Sequence, residues 1–235
     1  ERADAIRSGD RVHFAAALEA LRAHAGPASQ AQRERLEFLE AFADARNGDF
    51  AAAIARLRGL FERSDDPAMR FRAGAFLVNT LAGTREFAEG LRVLDATLAL
   101  ADQVEDAEIR NGGLLAGAVL YNQVGQYALG RDLALRVERS SREPRTLCVA
   151  GTVRLEAELE LGEEPLQSLP FEPAIGLCRA QGEMIVAGFA SGYLARRYAA
   201  EGDPARAAAV LRSVLDSVEA TGYPRLIGEI HGLLA

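Results

Sequence analysis

Apolar residues recur along this chain at intervals of three and four, the spacing of one helix face. Within residues 31–64, Leu36, Leu39 and Ala43 make one apolar stripe. Ala53, Ile54, Leu57, Leu60 and Phe61 make a second, and Gly48-Asp49 falls between the two. Glycine ends a helix at little steric cost. Asp65-Asp66-Pro67 closes the unit, and Pro67 suits the first position of the next helix. The same alternation predicts helix pairs over 67–83 with 86–101, 106–124 with 128–139, 144–161 with 173–181, and 183–201 with 205–220. A single helix over 12–25 precedes these pairs and another over 224–235 follows them.

The turns between paired helices repeat. Gly9-Asp10-Arg11, Gly48-Asp49-Phe50, Arg85-Glu86-Phe87, Gly125-Gln126-Tyr127 and Gly202-Asp203-Pro204 are copies, and Gly162-Glu163-Glu164 is a weaker one. Their third members stand at 11, 50, 87, 127, 164 and 204, a period of 37 to 40 residues. The second helices carry small-xxx-large-xx-small sets: Ala53/Leu57/Leu60, Gly90/Leu94/Thr97, Gly130/Ala134/Val137 and Ala207/Leu211/Val214. The first helices place Ala41, Val78, Ala118 and Ala195 at a matching small site, and Tyr121 and Tyr198 come three residues after it. In these features the chain resembles the tetratricopeptide repeat family. The likeness implies an all-α fold, a right-handed α-solenoid of about five TPR-like hairpins, in a single domain over 1–235. The period departs from the 34 residues typical of that family, which longer first helices explain.

Composition agrees with a helical chain. Ala makes up about a fifth of the 235 residues, aromatics only 6%, and Trp is absent. All 27 basic residues are Arg, and the net charge of −7 argues against nucleic-acid binding, which needs a basic surface. No apolar run reaches the roughly 18 residues of a membrane span. Both ends, Glu1-Arg2-Ala3-Asp4 and Gly232-Leu233-Leu234-Ala235, have helical character, which predicts a piece of a longer protein. A membrane contact would then come only through a segment outside this chain.

In the tetratricopeptide family the first helix of each pair lines a concave groove. Aligning the units by their turns places Arg35, Phe42, Arg72, Phe76, Asn79, Gln123, Glu156, Tyr193 and Arg196 on that face. A one-residue shift of register exchanges Gln123 for Asn122, so both are candidates. Aromatic anchors beside Arg, Asn and Gln suit a peptide, a protein segment or a small molecule. Amides bracket a backbone, and Arg holds a carboxylate. The same positions also suit packing between repeats, and pairing of two copies stays open.

Residues 162–173 hold three of the eight prolines, Pro165, Pro170 and Pro173. They exclude a regular helix there and predict that the next one starts near Pro173. The segment reads either as a lid or as an eroded repeat. Cys148 and Cys178 lie equally far from its turn at 163, so they come level in an antiparallel hairpin. Two readings remain: a disulfide in an oxidising compartment, or two buried thiols.

Catalytic equipment is not evident. His13, His24 and His231 are not clustered at metal-ligand spacing. Asn111-Gly112-Gly113 follows no strand, so it is no phosphate loop. The expectation is a non-enzymatic region with no cofactor. Met69-Arg70-Phe71-Arg72-Ala73, Leu77-Val78-Asn79 and Leu120-Tyr121-Asn122-Gln123-Val124-Gly125-Gln126-Tyr127 resemble the repeat region of bacterial diguanylate cyclases. That likeness implies a periplasmic sensor module in an inner-membrane signalling protein. The alternative is a cytosolic scaffold that binds a protein partner through the same groove.

Overall fold

The computed structural model describes residues 11–23, 29–163 and 168–235. Among these residues the fold is all-α: twelve α-helices, one short 3-10 turn and no strand. The first turn copy, at Gly9-Asp10, the end of the helix predicted over 12–25, and Glu164-Pro165 lie outside the described residues. The chain divides into two compact units, one up to Gln126 and one from Tyr127 to Ala235.

The first unit runs α1 (Arg11–Ala23), α2 (Gln30–Arg46), α3 (Phe50–Arg63), α4 (Pro67–Gly83), α5 (Phe87–Leu98), a 3-10 turn (Ala101–Gln103) and α6 (Ala107–Gln123). Consecutive helices pack on each other, and α4 also packs on α6. The local chemistry explains the boundaries. After α2, Gly48 takes φ 85°. Its N–H donates to Ala45 O at 3.2 Å while Asp49 N–H donates to Asp44 O at 2.9 Å. This Schellman turn satisfies carbonyls that the helix end leaves orphaned. Asp49 then caps α3 by accepting from Ala52 N–H at 3.1 Å. One Gly-Asp dipeptide thus stops one helix and starts the next. Asp66 and Asp106 cap α4 and α6 in the same way.

Helix α4 is the centre of this unit. Its Leu77 and Leu81 join Ala41, Ile54 and Leu57, and its Ala75, Val78 and Ala82 join Leu94, Ala116 and Leu120. Small residues set how closely the helices approach. A Cβ on Gly74 would stand 2.2 Å from Thr97 Oγ1, and one on Gly113 would stand 2.4 Å from the Phe71 ring.

The second unit runs α7 (Tyr127–Ser140), α8 (Pro144–Leu161), α9 (Phe171–Ala180), α10 (Met184–Ala200), α11 (Pro204–Thr221) and α12 (Pro224–Leu234). Helix α10 packs against α8, α9, α11 and α12. A core of Leu155, Phe171, Leu194, Leu211, Leu226 and their neighbours surrounds it. Cys148 of α8 and Cys178 of α9 are joined by a disulfide and are 1% and 0% exposed. Helix α9 begins at Phe171, two residues before the predicted start. Pro173 is tolerated there because first-turn N–H groups have no intrahelical partner to lose. Buried Arg197 secures this entry, donating to Glu172 at 3.2 Å with its guanidinium 5.7 Å from the Phe171 ring centre.

The small and large positions quoted for the repeat likeness are all buried, from Ala41, Ala53 and Leu57 to Ala195, Ala207 and Leu211. No helix among the described residues is long and apolar enough to cross a membrane.

Candidate functional site

The face of the first unit is built from α2 and α4. Phe42 and Phe76 are half-buried with ring centres 5.5 Å apart, and Phe38 lies 5.9 Å from Phe76. Arg46 sits 5.8 Å from the centre of the Phe42 ring. Arg72 and Asn79 are exposed and lie one turn to either side of Phe76 on α4. Arg35 is exposed one turn before Phe38. This unit therefore unites Phe42 with Phe76 as an aromatic patch with cations around it. At the end of α6, Asn122 is only 3% exposed and belongs to the interior, while Gln123 is half-buried.

The second unit brings three of the candidates together. Glu156 on α8 accepts a hydrogen bond from the Tyr193 hydroxyl of α10. Arg196, one turn later on α10, donates to Glu160 of α8 at 2.5 Å. Tyr193 is 7% exposed, so it contributes from beneath the face rather than from an open surface. Its burial is imposed by α8 and α12, which flank α10.

Four residues of this face were not among the sequence candidates. Glu160 repeats Glu156 one helical turn on. Arg225, Glu229 and Leu233 come from α12, whose part in a face is not visible from the period of a terminal helix alone. A Cβ on Gly192 would lie 3.8 Å from both Glu229 Oε1 and Leu233 Cδ1, so these two side chains close over α10. Beside Arg196 lies a hollow of about 430 Å³ floored by Leu159, Ala195, Ala199, Leu211 and Leu233. That volume is within the range of small-molecule sites.

Burial and neighbouring charges shift three groups in this unit. Burial pushes the Tyr193 hydroxyl well above the ordinary phenol range, and the charges of Glu156 and Glu229 add to this against the opposing Arg225. The group stays a proton donor. Burial also pushes the Glu229 carboxyl up; Arg225 opposes the shift, Glu156 reinforces it and Arg196 opposes it. Tyr127 at the start of α7 is raised by burial and by Glu160 and Glu156. Among the described residues no group of three or more His, Cys, Asp or Glu side chains converges to hold a metal.

No family model matches the chain, and neither a curated protein nor a solved structure matches it.

Proposed function

We propose that this chain is a non-catalytic sensory module that binds a peptide or small ligand, built as a right-handed TPR-like α-solenoid of about five hairpins. The observation that carries this reading is the hollow of about 430 Å³ in the second unit, lined by Arg196 together with Leu159, Ala195, Ala199, Leu211 and Leu233. Apolar concavities with a few convergent polar groups are where ligands bind most often. Residues such as Phe42 and Phe76 offer a second, aromatic contact surface in the first unit.

The compartment we propose is the periplasm. The support is the Cys148–Cys178 disulfide, since such bonds persist in oxidising surroundings. The strings that resemble the repeat region of bacterial diguanylate cyclases support, on this reading, a position upstream of such an output domain.

A thermal-shift screen of the purified chain against amino acids, short peptides and metabolite anions tests binding. Leu233→Glu is the control, because Leu233 lines the hollow and is 41% exposed, so the change puts a charge in the site without disturbing the core. A compound that raises the melting temperature of the wild type and not of this variant supports the reading. No shift across the whole screen sinks it. Two alkylatable thiols in protein trapped directly from cells would return the cytosolic scaffold in place of the periplasmic sensor.

A further inference from the structure

Helix α2 segregates its charges. Its carboxylates are Glu34, Glu37, Glu40 and Asp44, and each is engaged away from α4. Glu34 accepts from Ser64 Oγ at 2.7 Å, Glu37 from Arg63, Glu40 from Arg22 and Arg56 at 2.9 Å each, and Asp44 from Arg56 at 2.9 Å. The row that meets Phe76 of α4 through Phe38 and Phe42 runs from Arg35 to Arg46 and holds no acidic residue. Helix α4 has no acidic residue along its length and adds Arg72. Arg35 and Arg72 are exposed, and among the described residues no carboxylate bonds to either. A chain of net charge −7 thus keeps one locally positive face, and aromatic rings lie within it.

Helix geometry puts the parts in order. The chain reverses between α2 and α3 and again between α3 and α4, so α2 and α4 run the same way. Arg35 comes one turn before Phe38, and Arg72 one turn before Phe76, so both cations lie at one end of the ring patch. Arg46 and Asn79 come one turn after Phe42 and Phe76, at the other end. From Arg35 to Arg46 helix α2 rises about 16 Å, the length of about five residues of extended chain. A small anion meets only one end of such a strip, whereas an extended peptide meets both.

Each part has bonding capacity to offer. A guanidinium fork matches a carboxylate. The tilted rings of Phe42 and Phe76, 5.5 Å apart, suit contact with a further aromatic or large aliphatic side chain. The exposed Asn79 amide can both donate to and accept from a peptide backbone.

We propose that the α2–α4 face of the first unit binds an acidic peptide in extended form. One large apolar side chain of the peptide lies on Phe42 and Phe76, between carboxylates held by Arg35 and Arg72 at one end and by Arg46 at the other. This rests on the reading of the chain as a binding module, but on a different surface from the hollow.

The test is calorimetric titration of the intact chain with three peptides, each acetylated and amidated so that only side chains are charged. Asp-Glu-Phe-Glu-Asp carries both features, Asn-Gln-Phe-Gln-Asn only the ring, and Asp-Glu-Gly-Glu-Asp only the charges. The first should bind, less tightly as salt is raised. Each of the others should bind about 10-fold more weakly or worse. Arg35→Glu/Arg72→Glu should abolish binding of the first peptide. Arg136→Glu/Arg212→Glu alters net charge equally at exposed positions of the second unit and should leave it intact. Both double variants should keep the far-UV circular dichroism of the wild type, since all four side chains are exposed.

The proposal is overturned if the first peptide does not bind at about 1 mM in low salt. It is equally overturned if the uncharged peptide binds as tightly, or if the two double variants weaken binding alike, which would be attraction without a site. Sedimentation of the same samples supplies one more outcome. A wild type that dimerises, beside an Arg35→Glu/Arg72→Glu variant that stays monomeric, assigns the face to a second copy and overturns the peptide. A chain that ignores these peptides but responds to a compound through the hollow loses this proposal alone. A chain silent in both tests loses the binding reading too.

Discussion

Two adjacent glycines in α6 show how far a single residue's effect depends on what its Cβ would meet. Gly112 is exposed, with nothing within 4 Å of that position. Gly112→Ala should therefore add the ordinary helix-propensity gain of about 1 kcal/mol. A Cβ on Gly113 would stand 2.4 Å from the Phe71 ring, which is 0% exposed and has no room to retreat. Overpacking of this kind costs about 1–3 kcal/mol. Gly113→Ala should be destabilising despite the same propensity gain, and urea denaturation of the two variants should give opposite signs. Glu34 offers a different single-residue test. Its carboxyl accepts from Ser64 Oγ at 2.7 Å and from Gln30 Nε2 at 3.0 Å, and the side chain is buried. The Ser64 bond, then the Gln30 bond, hold its pKa below the usual 4.5 against the opposing effect of burial. A depressed folded pKa means that the unfolded chain binds the proton more readily. The stabilisation is thus complete above about pH 4.5 and is lost as pH falls through the folded value. The stability difference between wild type and Glu34→Gln should narrow between about pH 6 and pH 3. A difference that stays constant over this range would remove Glu34 as the source.

Elements are joined here by a turn that the chain uses repeatedly, and one copy departs from the rule. At 48, 125, 182 and 202 a glycine takes positive φ and the next residue's N–H reaches back five positions. At 85 the same hydrogen bonds form, Arg85 N–H to Ala82 O at 3.2 Å and Glu86 N–H to Leu81 O at 2.8 Å, but the residue is Arg with φ 64°. A side chain in the left-handed region costs about 1–2 kcal/mol, partly offset by the greater freedom glycine has when unfolded. Arg85→Gly should raise stability by up to about 1 kcal/mol in thermal or urea unfolding. Arginines also tie neighbouring helices together. Arg56 of α3 bonds Glu40 and Asp44 of α2, each at 2.9 Å, and Arg154 of α8 bonds Glu138 of α7 through both oxygens at 3.0 Å. Most turns and helix spans were legible in the sequence because their signals are local, a glycine, an aspartate and a period of three to four, but the turn at Gly182 was not among the copies read from the repeat period. The site was legible only in part. Glu156, Tyr193 and Arg196 follow from turn register, but one helix's period cannot tell that α8 and α12 both press on α10 and bury Tyr193. Nor can it tell that Glu229 and Leu233 close over Gly192, since that depends on the path of the chain after α11.

The disulfide acts on the chain as a whole, because its main effect is on the unfolded ensemble rather than on any native contact. Cys148 and Cys178 are 30 residues apart, and closing a loop of that length removes unfolded-state entropy worth about 3–4 kcal/mol. The closed loop contains the proline-rich segment between α8 and α9, the stretch least able to hold itself by helical hydrogen bonds. Both sulfurs are enclosed with Ala187 behind them, so a reductant reaches the bond only when α8 and α9 separate. Two consequences follow together. The double variant Cys148→Ala/Cys178→Ala should lose about 2–4 kcal/mol in urea unfolding, with its native circular dichroism retained because both replacements are small and apolar. Reduction of the wild type under native conditions should be slow and should speed up in urea well below the unfolding midpoint. If reduction is instead immediate in native buffer and leaves stability unchanged, the bond does not constrain the fold. The disulfide then no longer supports placing the chain in an oxidising compartment.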